Sequence, residues 1–298
     1  MSCTYIVNLT AGRGLTARLW PELAQGVKDG DRIEVTARPG HATELARSAA
    51  SQGASRVVAV GGDGTVAEVA KGLIGTGVQL GHVPTGAGCD LARALGLPKK
   101  PAEAMAALDR LEPVALDVGT VGEAVFLTVS GVGFDAVVAA EDARTRANGM
   151  TGTLPYLLAT FKVLRTYRPK LVRLTLDGKA EPEMRALLVA VANSQYYAGG
   201  MRIAPYAETQ DGLFDVVVVG DLSVADTLAT LPRVFSGAHR HHPKVRFYQA
   251  RQVDVEAPEP LAAHLGGEPA GTTPVSFRIL PRALTVLSGQ APAPMARA

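Results

Sequence analysis

Residues 57–73 read VVAVGGDGTVAEVAKGL, and this stretch decides the fold. An apolar run leads through glycines and Asp63 into a segment in which Val66, Val69 and Leu73 recur at helical spacing. The pattern predicts a buried strand, a tight turn and an amphipathic helix. A strand followed directly by such a helix is typical of a parallel sheet with helices on its faces.

The same alternation runs through the N-terminal part of the chain. Strands are predicted at Tyr5–Val7, Ile33–Thr36, Arg56–Val60 and Leu80–Val83, and helices at Leu15–Val27, His41–Gln52, Thr65–Ile74, Asp90–Leu95 and near Ala102–Leu111. We therefore expect an α/β domain with a parallel sheet over residues 1–117.

From residue 118 onward, strands dominate. They are predicted at Phe126–Ser130, Leu171–Asp177, Ala186–Ala192, Phe214–Val219, Arg251–Glu256 and Val275–Ile279. One helical insertion, PYLLATFKVLRTYRPK, interrupts them. We expect a β-rich, mostly antiparallel domain over residues 118–288, whose final strand could return to the first domain. The Pro- and Ala-rich tail at 289–298 is predicted to be disordered.

The composition excludes several classes of protein. A formal net charge of +2 and an aromatic fraction of 5% give no basis for nucleic acid binding. The 2 cysteines are too few for a disulfide framework, which fits a reducing cytoplasm. The sequence begins without a signal peptide pattern and contains no run of about 18 apolar residues. We expect a cytoplasmic protein, with membrane contact limited to peripheral contact at the inner face.

Glycine-rich loops follow three of the predicted strands. They carry Asn8, Gly12 and Gly14, then Gly61, Gly62, Gly64 and Thr65, then Gly86 and Gly88 before a helix with Asp90 as its expected N-cap. One such turn often serves only to reverse the chain, but three at the same sheet edge favour a polyphosphate ligand held by backbone N–H groups. Neither G-x-x-x-x-G-K-[ST] nor G-x-G-x-x-G is present.

Asp63 allows two interpretations. A carboxylate beside bound phosphates needs a magnesium ion between them, which makes Asp63 a candidate for indirect metal contact. Its side chain could equally fix the turn through backbone hydrogen bonds. The two roles are compatible.

Several segments, in order along nearly the whole chain, resemble one family. They are IVNLTAGRG, GGDGT, PTGAGCDLARALGLP, FLTVSGVGFDAVV, VANSQYYAGGMRIAPYAETQDGLFDVVVV and LGGEPAGTTPVSFRILPRALTVL. Together they resemble the diacylglycerol kinase catalytic-domain family, which includes bacterial lipid kinases and the sphingosine and ceramide kinases. NAD kinases and phosphofructokinases also use GGDGT, so the ordered series, above all YYAGGMRIAP followed by DGLFDV, is the more specific signal.

The resemblance implies a phosphofructokinase-like N-terminal α/β domain, a C-terminal β-sandwich, and ATP and Mg²⁺ as cofactors. By position, Asn8, Thr36, the Gly61–Thr65 loop and the Gly86–Asp90 loop would contact the nucleotide. Glu208, Asp211 and Leu213 match a structural magnesium site, although Asp211-Gly212 by itself reads as a plain turn. Glu268 matches the acid that accepts the proton of the lipid hydroxyl, although alone it reads as an exposed loop acid. Asp63 and Glu268 are the expected catalytic residues.

Three positions depart from the family pattern. Ala87 stands where a threonine is usual, Cys89 where an asparagine is usual, and Gly266 where the aspartate of Asp-Gly-Glu is usual. Losing a positioned donor or a general base commonly lowers turnover by about 10²–10⁴. The sequence thus predicts an ATP-dependent lipid kinase acting on a diacylglycerol-like or other amphiphilic hydroxyl. The alternative is a non-catalytic nucleotide- or lipid-binding protein on the same fold.

The remaining features leave alternatives open. The insertion joins Leu158, Phe161 and Leu164 at helical spacing to basic residues, so it could lie at a membrane surface or pack on the β domain. The run GAHRHHPKVR reads as a solvated loop rather than a metal site. Nothing in the sequence decides between a monomer and a homodimer.

Overall fold

The computed structural model describes residues 2–147 and 154–297. The chain divides into two compact units. Unit 1 consists of Met1–Val118 and Pro281–Ala293, and unit 2 of Gly119–Leu280 and Pro294–Ala298.

Unit 1 alternates strands and helices as the sequence predicts. Its elements are β1 (Cys3–Val7), α1 (Ala11–Leu23), β2 (Arg32–Val35), α2 (His41–Ser51), β3 (Arg56–Gly61), α3 (Asp63–Leu73), β4 (Gln79–Pro84), α4 (Asp90–Ala94), α5 (Pro101–Ala107) and β5 (Glu112–Val121), the last of which ends in unit 2. Residues 12–14 have left-handed backbone angles, so the regular part of α1 begins at Leu15, where the sequence predicts the helix to start.

The sheet of unit 1 is parallel. Its strand order is β2-β1-β3-β4, and Thr285 and Val286 of the last strand pair alongside β4. Apolar residues of β3 are buried because helices cover the sheet, and the stripe Val66, Val69 and Leu73 of α3 is at most 1% exposed. Gly72 lets α2 approach α3, since a Cβ there would lie 2.7 Å from the Cβ of Ala46. The predicted parallel α/β class is confirmed.

Unit 2 is built mainly from strands. Its elements are β6 (Ala124–Phe126), β7 (Val129–Gly133), α6 (Phe134–Ala147), α7 (Leu154–Thr166), β8 (Lys170–Leu176), β9 (Lys179–Ala180), β10 (Met184–Ala192), β11 (Phe214–Gly220), α8 (Val224–Ser236), β12 (Val245–Ala250), β13 (Gln252–Glu256), β14 (Ala262–Leu265), β15 (Glu268–Thr272) and β16 (Val275–Ser288), the last of which ends in unit 1.

The strands of unit 2 pair antiparallel. One series runs β15-β14-β7-β10-β11-β12, and another joins β9, β8, β13 and the first part of β16. The start of β10 also pairs with β8. One apolar core contains Phe126, Phe214 and Phe277, and a second lies where α6, α7 and α8 meet the first series of strands. The predicted antiparallel β class is confirmed.

The structure differs from the sequence prediction in detail. The single strand expected at Phe126–Ser130 is divided between β6 and β7, and the helices α6 and α8 were not predicted. Pro232 lies within α8, which obscured the helical pattern in the sequence. His239, expected in a solvated loop, is 1% exposed and its Nε2 lies 2.8 Å from the carbonyl oxygen of Ile203.

The end of the C-terminal tail, whose composition predicts disorder, belongs to unit 2 and makes contacts within it. The Met295 N–H donates to the Pro205 carbonyl over 2.8 Å. Arg297 forms an ion pair with the buried Asp215 and stacks on the Tyr206 ring at 4.9 Å. In the ranges that are described, no helix has both the length and the hydrophobicity needed to cross a bilayer.

Phe126 should carry much of the stability of unit 2. Its ring stacks on Phe214 at 5.6 Å and meets Phe277 edge-on at 6.1 Å between centroids. We expect Phe126→Ala to lower the free energy of unfolding by about 3–5 kcal/mol, measured by urea denaturation, because it leaves a cavity. Phe161→Ala, at a site 50% exposed, is the control and should change it by less than about 0.5 kcal/mol. Equal effects would contradict this view of the core.

Candidate functional site

Two glycine-rich loops touch through their backbones in unit 1. The loop after β3 and the loop after β4 meet at Gly62 and Gly86, where a Cβ on Gly86 would lie 2.6 Å from the Gly62 Cα. The Thr85 N–H also donates to the Gly61 carbonyl over 2.9 Å. A side chain at Gly86 would push the loops apart, and a Cβ on Gly62 would make a tight contact of 3.3 Å with the Gly86 Cα, so glycine at both positions permits the close approach.

A third loop, after β1, joins the same cluster. Asn8 Nδ2 donates to Thr65 Oγ1 over 3.0 Å. A Cβ on Gly12 would lie 2.2 Å from the Thr85 carbonyl oxygen. The residues Asn8–Gly14, Gly61–Thr65 and Thr85–Asp90 therefore form one connected group, called here the three-loop site.

Asp63 holds the third segment of this site in place. Its Oδ2 accepts from the Asp90 N–H and its Oδ1 from the Leu91 N–H, both at 3.2 Å. The carboxylate thus caps α4, where unsatisfied N–H groups favour a negative charge. The expected N-cap role of Asp90 is wrong: α4 begins at Asp90, its N-cap position is Cys89, and the cap comes from a residue far away in sequence.

Cys89 occupies a strained position. Its φ is 49°, in the left-handed region that asparagine tolerates better than most residues. Its Sγ donates to the Gly86 carbonyl over 3.3 Å. Burial, with a smaller contribution from Asp63, raises the pKa of the thiol to about 12. Cys89 is consequently a neutral thiol that closes the loop, not a reactive nucleophile.

The N-terminus of α3 is suited to an anion. Its N-cap, Gly62, supplies no side-chain hydrogen bond to the first turn, so N–H groups there can serve a ligand. Gly64 and Ala87 are exposed, while Thr65 is buried and bonded to Asn8. Thr36 is half-buried and follows β2, where its N–H donates to Val7. It lies at the same carboxyl end of the parallel sheet, where open α/β sheets bind ligands.

The predicted metal residues lie in a loop of unit 2, before β11. Asp211 Oδ1 accepts from the Leu213 N–H over 3.0 Å, which is the turn that the local sequence favours. Asp211 and Glu208 are exposed. Among the described residues, no three His, Cys, Asp or Glu side chains gather closely enough to hold a metal. A magnesium ion here would rest on one carboxylate, main-chain carbonyls and water, a set that Mg²⁺ accepts.

Glu268 is exposed at the start of β15, directly after a tight turn. Leu265 and Glu268 face each other across this turn, and Gly266 and Gly267 between them have φ of 56° and 93°. Two positive φ angles define the type I′ hairpin turn. A Cβ on Gly266 would meet nothing within 4 Å, so the turn leaves room for the aspartate that the family pattern has there.

Sequence reasoning missed Asp135, His264 and Asp215. Asp135 and His264 are 4% and 2% exposed, and Asp135 Oδ2 lies 3.2 Å from His264 Nε2. Burial raises the pKa of Asp215 to about 6, an effect that Arg297 partly offsets. The only sequence signal for Asp215 was a lone carboxylate within an apolar strand. Asp135 and His264 are 129 positions apart, so nothing local in the sequence could pair them.

An apolar pocket lies beside Asp135 in unit 2. It is lined mainly by residues of α6, β10, β11 and α8, including Leu187, Val219, Leu231 and Val234. Asp135 is the one carboxylate in its lining, and the imidazole of His239, whose pKa is lowered by burial, is neutral there at pH 7. The pocket therefore offers an apolar body with one carboxyl group in its lining.

Comparisons with known proteins match both halves of the chain. Residues 2–121 match the diacylglycerol kinase catalytic domain, and residues 128–288 match the YegS C-terminal NAD kinase beta sandwich-like domain. The chain is similar to a diacylglycerol kinase from Mycobacterium tuberculosis, at 33% identity over 86% of this chain and 84% of the relative. It is similar to a diacylglycerol kinase from Bacillus subtilis, at 29% identity over 95% and 94% of the two chains.

A solved structure shows the same fold. A diacylglycerol kinase from Bacillus anthracis aligns over 97% of both chains with a TM-score of 0.74 and 24% identity. This agreement covers the α/β part and the β-rich part together.

Asp63→Ala should destabilise the protein, whatever its effect on activity. Removing both acceptors from the α4 N-terminus should lower the free energy of unfolding by about 1–2 kcal/mol, measured by thermal or urea unfolding. Asp63→Asn keeps one acceptor oxygen and should lose less. Equal stability of the wild type and the alanine variant would show that the cap contributes nothing.

Cys89→Asn should stabilise unit 1. Asparagine tolerates the left-handed backbone, so relieving the strain should raise the free energy of unfolding by about 0.5–1 kcal/mol, seen as a higher Tm. Cys89→Ala is the matched control, because it removes the thiol but keeps the strain, and its Tm should not rise. A rise in both variants would attribute the effect to the thiol instead.

Proposed function

Because the chain belongs to the diacylglycerol kinase family of lipid kinases, we propose that it transfers the γ-phosphate of ATP to a hydroxyl of a diacylglycerol-like or other amphiphilic acceptor. The observation that carries the proposal is the three-loop site, in which glycine backbones are brought together at the N-terminus of a helix that has no side-chain cap.

The triphosphate would lie against that helix terminus. The α3 N–H groups would bind phosphate oxygens, and the absence of side chains at Gly62 and Gly86 would let the backbone approach closely. Asn8 and Thr65, which hydrogen-bond to each other, would fix the two neighbouring loops. The first role of Asp63 would be structural. Its hydrogen bonds would hold α4, and with it Gly88 and Asp90, in position.

Magnesium would supply charge neutralisation at the phosphates when bound. Of the two acids in the three-loop site, Asp63 is half-buried and Asp90 is buried, so Asp63 is the one that could face the ion through water. A second, structural magnesium would be held by Asp211 with the main-chain carbonyls of Glu208 and Leu213. These assignments follow the family pattern, and the exposed carboxylate of Asp211 is compatible with them.

The pocket of unit 2 has a cavity of about 50 Å³ and would have to widen to admit the apolar part of the acceptor. The lining is hydrophobic apart from Asp135 and a few neutral polar groups, which suits a ligand with an alkyl body and a hydroxyl at one end. Glu268 would accept the proton of that hydroxyl as its oxygen attacks the γ-phosphate. An exposed carboxylate on a short turn can meet a bound ligand, whereas buried Asp135 is engaged with His264.

The competing proposal is a binding protein without catalysis. It is favoured by the neutral Cys89 thiol and by Gly266, each of which lacks the polar group of the family pattern. The exposed Ala87 likewise offers no hydroxyl. This proposal predicts nucleotide or lipid binding with no phosphate transfer.

A transfer assay tests the proposal. Purified protein with γ-labelled ATP and magnesium is offered diacylglycerol, a sphingoid base, phosphatidylglycerol and polar alcohols, and we expect label in a lipid product. Glu268→Gln should lower kcat by about 10²–10⁴ and leave the affinity for the nucleotide unchanged. Glu123→Gln, at an exposed hairpin turn, is the matched control and should keep wild-type turnover.

Two results would argue against this mechanism. ATP binding without transfer to any acceptor would favour the non-catalytic protein. Full turnover in Glu268→Gln would remove Glu268 as the proton acceptor while keeping the kinase.

A further inference from the structure

A buried pair of polar side chains in unit 2 lies next to the residue expected to take the proton. Asp135 stands in the first turn of α6, and its Oδ1 accepts from the Ala136 N–H over 2.9 Å. Its other oxygen lies 3.2 Å from Nε2 of His264 on β14. A buried carboxylate needs such partners, because an uncompensated charge in an apolar interior is costly.

The second ring nitrogen of His264 has its own partner. The Gly267 N–H donates to Nδ1 over 3.1 Å. Since Nδ1 accepts a hydrogen bond, the proton of the neutral ring is on Nε2 and is donated to Asp135. One imidazole thus links α6 to the turn after β14.

The backbone makes room for this link. His264 pairs with Gly131 of β7 in the strand register. A Cβ on Gly131 would lie 2.3 Å from Asp135 Oδ2 and 3.1 Å from His264 Nε2. Any side chain at Gly131 would separate the carboxylate from the imidazole.

The turn that His264 holds is the one that positions Glu268. Its two central residues are glycines, which lose the most conformational freedom on folding, and neither carries a side chain that could fix it. Among the described contacts, the side-chain hydrogen bond that restrains this turn is therefore the one from the Gly267 N–H to His264 Nδ1. Glu268 follows directly and pairs with Leu265.

We infer that His264 is a positioning residue: its Nδ1 restrains the Gly266–Gly267 turn and so fixes the backbone from which Glu268 projects, while its bond to Asp135 orients the ring. The inference rests on the proposed function for the role of Glu268. The anchoring itself is a property of the folded chain and is measurable without any substrate.

Two variants separate the two ends of the imidazole. In His264→Asn the amide oxygen can replace Nδ1 as acceptor for Gly267 but cannot reach Asp135. In His264→Gln the amide nitrogen can replace Nε2 as donor to Asp135 but leaves Gly267 without its acceptor. Asparagine is smaller than glutamine and would leave more of the buried site empty, so a purely packing role predicts the larger loss in His264→Asn.

Hydrogen exchange and kinetics are then compared. We expect the Gly267 amide to exchange about tenfold faster in His264→Gln than in the wild type, and at nearly the wild-type rate in His264→Asn. In the transfer assay, kcat should fall by about 10–10²-fold in His264→Gln with the KM for ATP unchanged, and by less than about threefold in His264→Asn. Equal losses in the two variants, or the reverse order, would overturn the inference.

The inference can also be tested on the wild-type protein, so that the test does not depend on a variant that folds. Nitrogen NMR should show a coupling across the hydrogen bond between the Gly267 amide nitrogen and His264 Nδ1, and its absence would also overturn the inference. If the wild type transfers phosphate to no acceptor, the proposed function fails, while exchange and coupling still decide whether His264 anchors the turn.

Discussion

The close approach of Gly62 and Gly86 is the constraint on which the candidate site depends. The two parallel strands β3 and β4 end side by side, and their loops approach this closely because both residues at the contact, Gly62 and Gly86, are glycines. Once the loops are in contact, the α3 N-terminus, the Thr85 backbone and the Asp63 carboxylate have defined neighbours. The third loop joins through Asn8 and Gly12. The parallel sheet places the loops side by side, and the glycines allow their backbones to touch.

This arrangement gives the three departures from the family pattern a physical meaning. Ala87 and Gly266 lie at exposed positions where the larger family residue would fit, and Cys89 keeps the left-handed backbone that asparagine favours. Each change replaces the polar side chain of the family pattern with a smaller or less polar one. The scaffold that would hold a phosphate chain is thus retained, and the departures concern the chemistry rather than the fold.

The sequence predicted regular elements well where burial is periodic. The helix α3 and the strands β1, β3 and β4 follow from one buried stripe or run each, so their bounds agree to within about two residues. Helix α8 was missed because Pro232 and two threonines weaken its pattern, although Ser223 and Asp226 form a capping box. The strand predicted at Phe126–Ser130 spans the junction of two strands, because the β-favouring residues Leu127 and Thr128 continue the pattern between the end of β6 at Phe126 and the start of β7 at Val129.

For the candidate site, the sequence predicted the loops but not the side-chain contacts that hold them. Glycine spacing identified the loops, but the cap on α4 comes from Asp63 rather than Asp90, and the partner of His264 is Asp135. These contacts join residues far apart in the chain, so they depend on tertiary packing that no local pattern records. The same limit applies to Asp215 and the tail residue Arg297.

Calorimetry tests the central claim most directly. Titrating ATP with magnesium into the wild type should give saturable binding with a Kd between about 1 µM and 1 mM. A Gly86→Ala variant, still folded by circular dichroism, should lose that binding because its Cβ forces the two loops apart. No heat with any purine nucleotide, or undiminished binding in folded Gly86→Ala, would contradict the claim that glycine-lined strand ends form a triphosphate site.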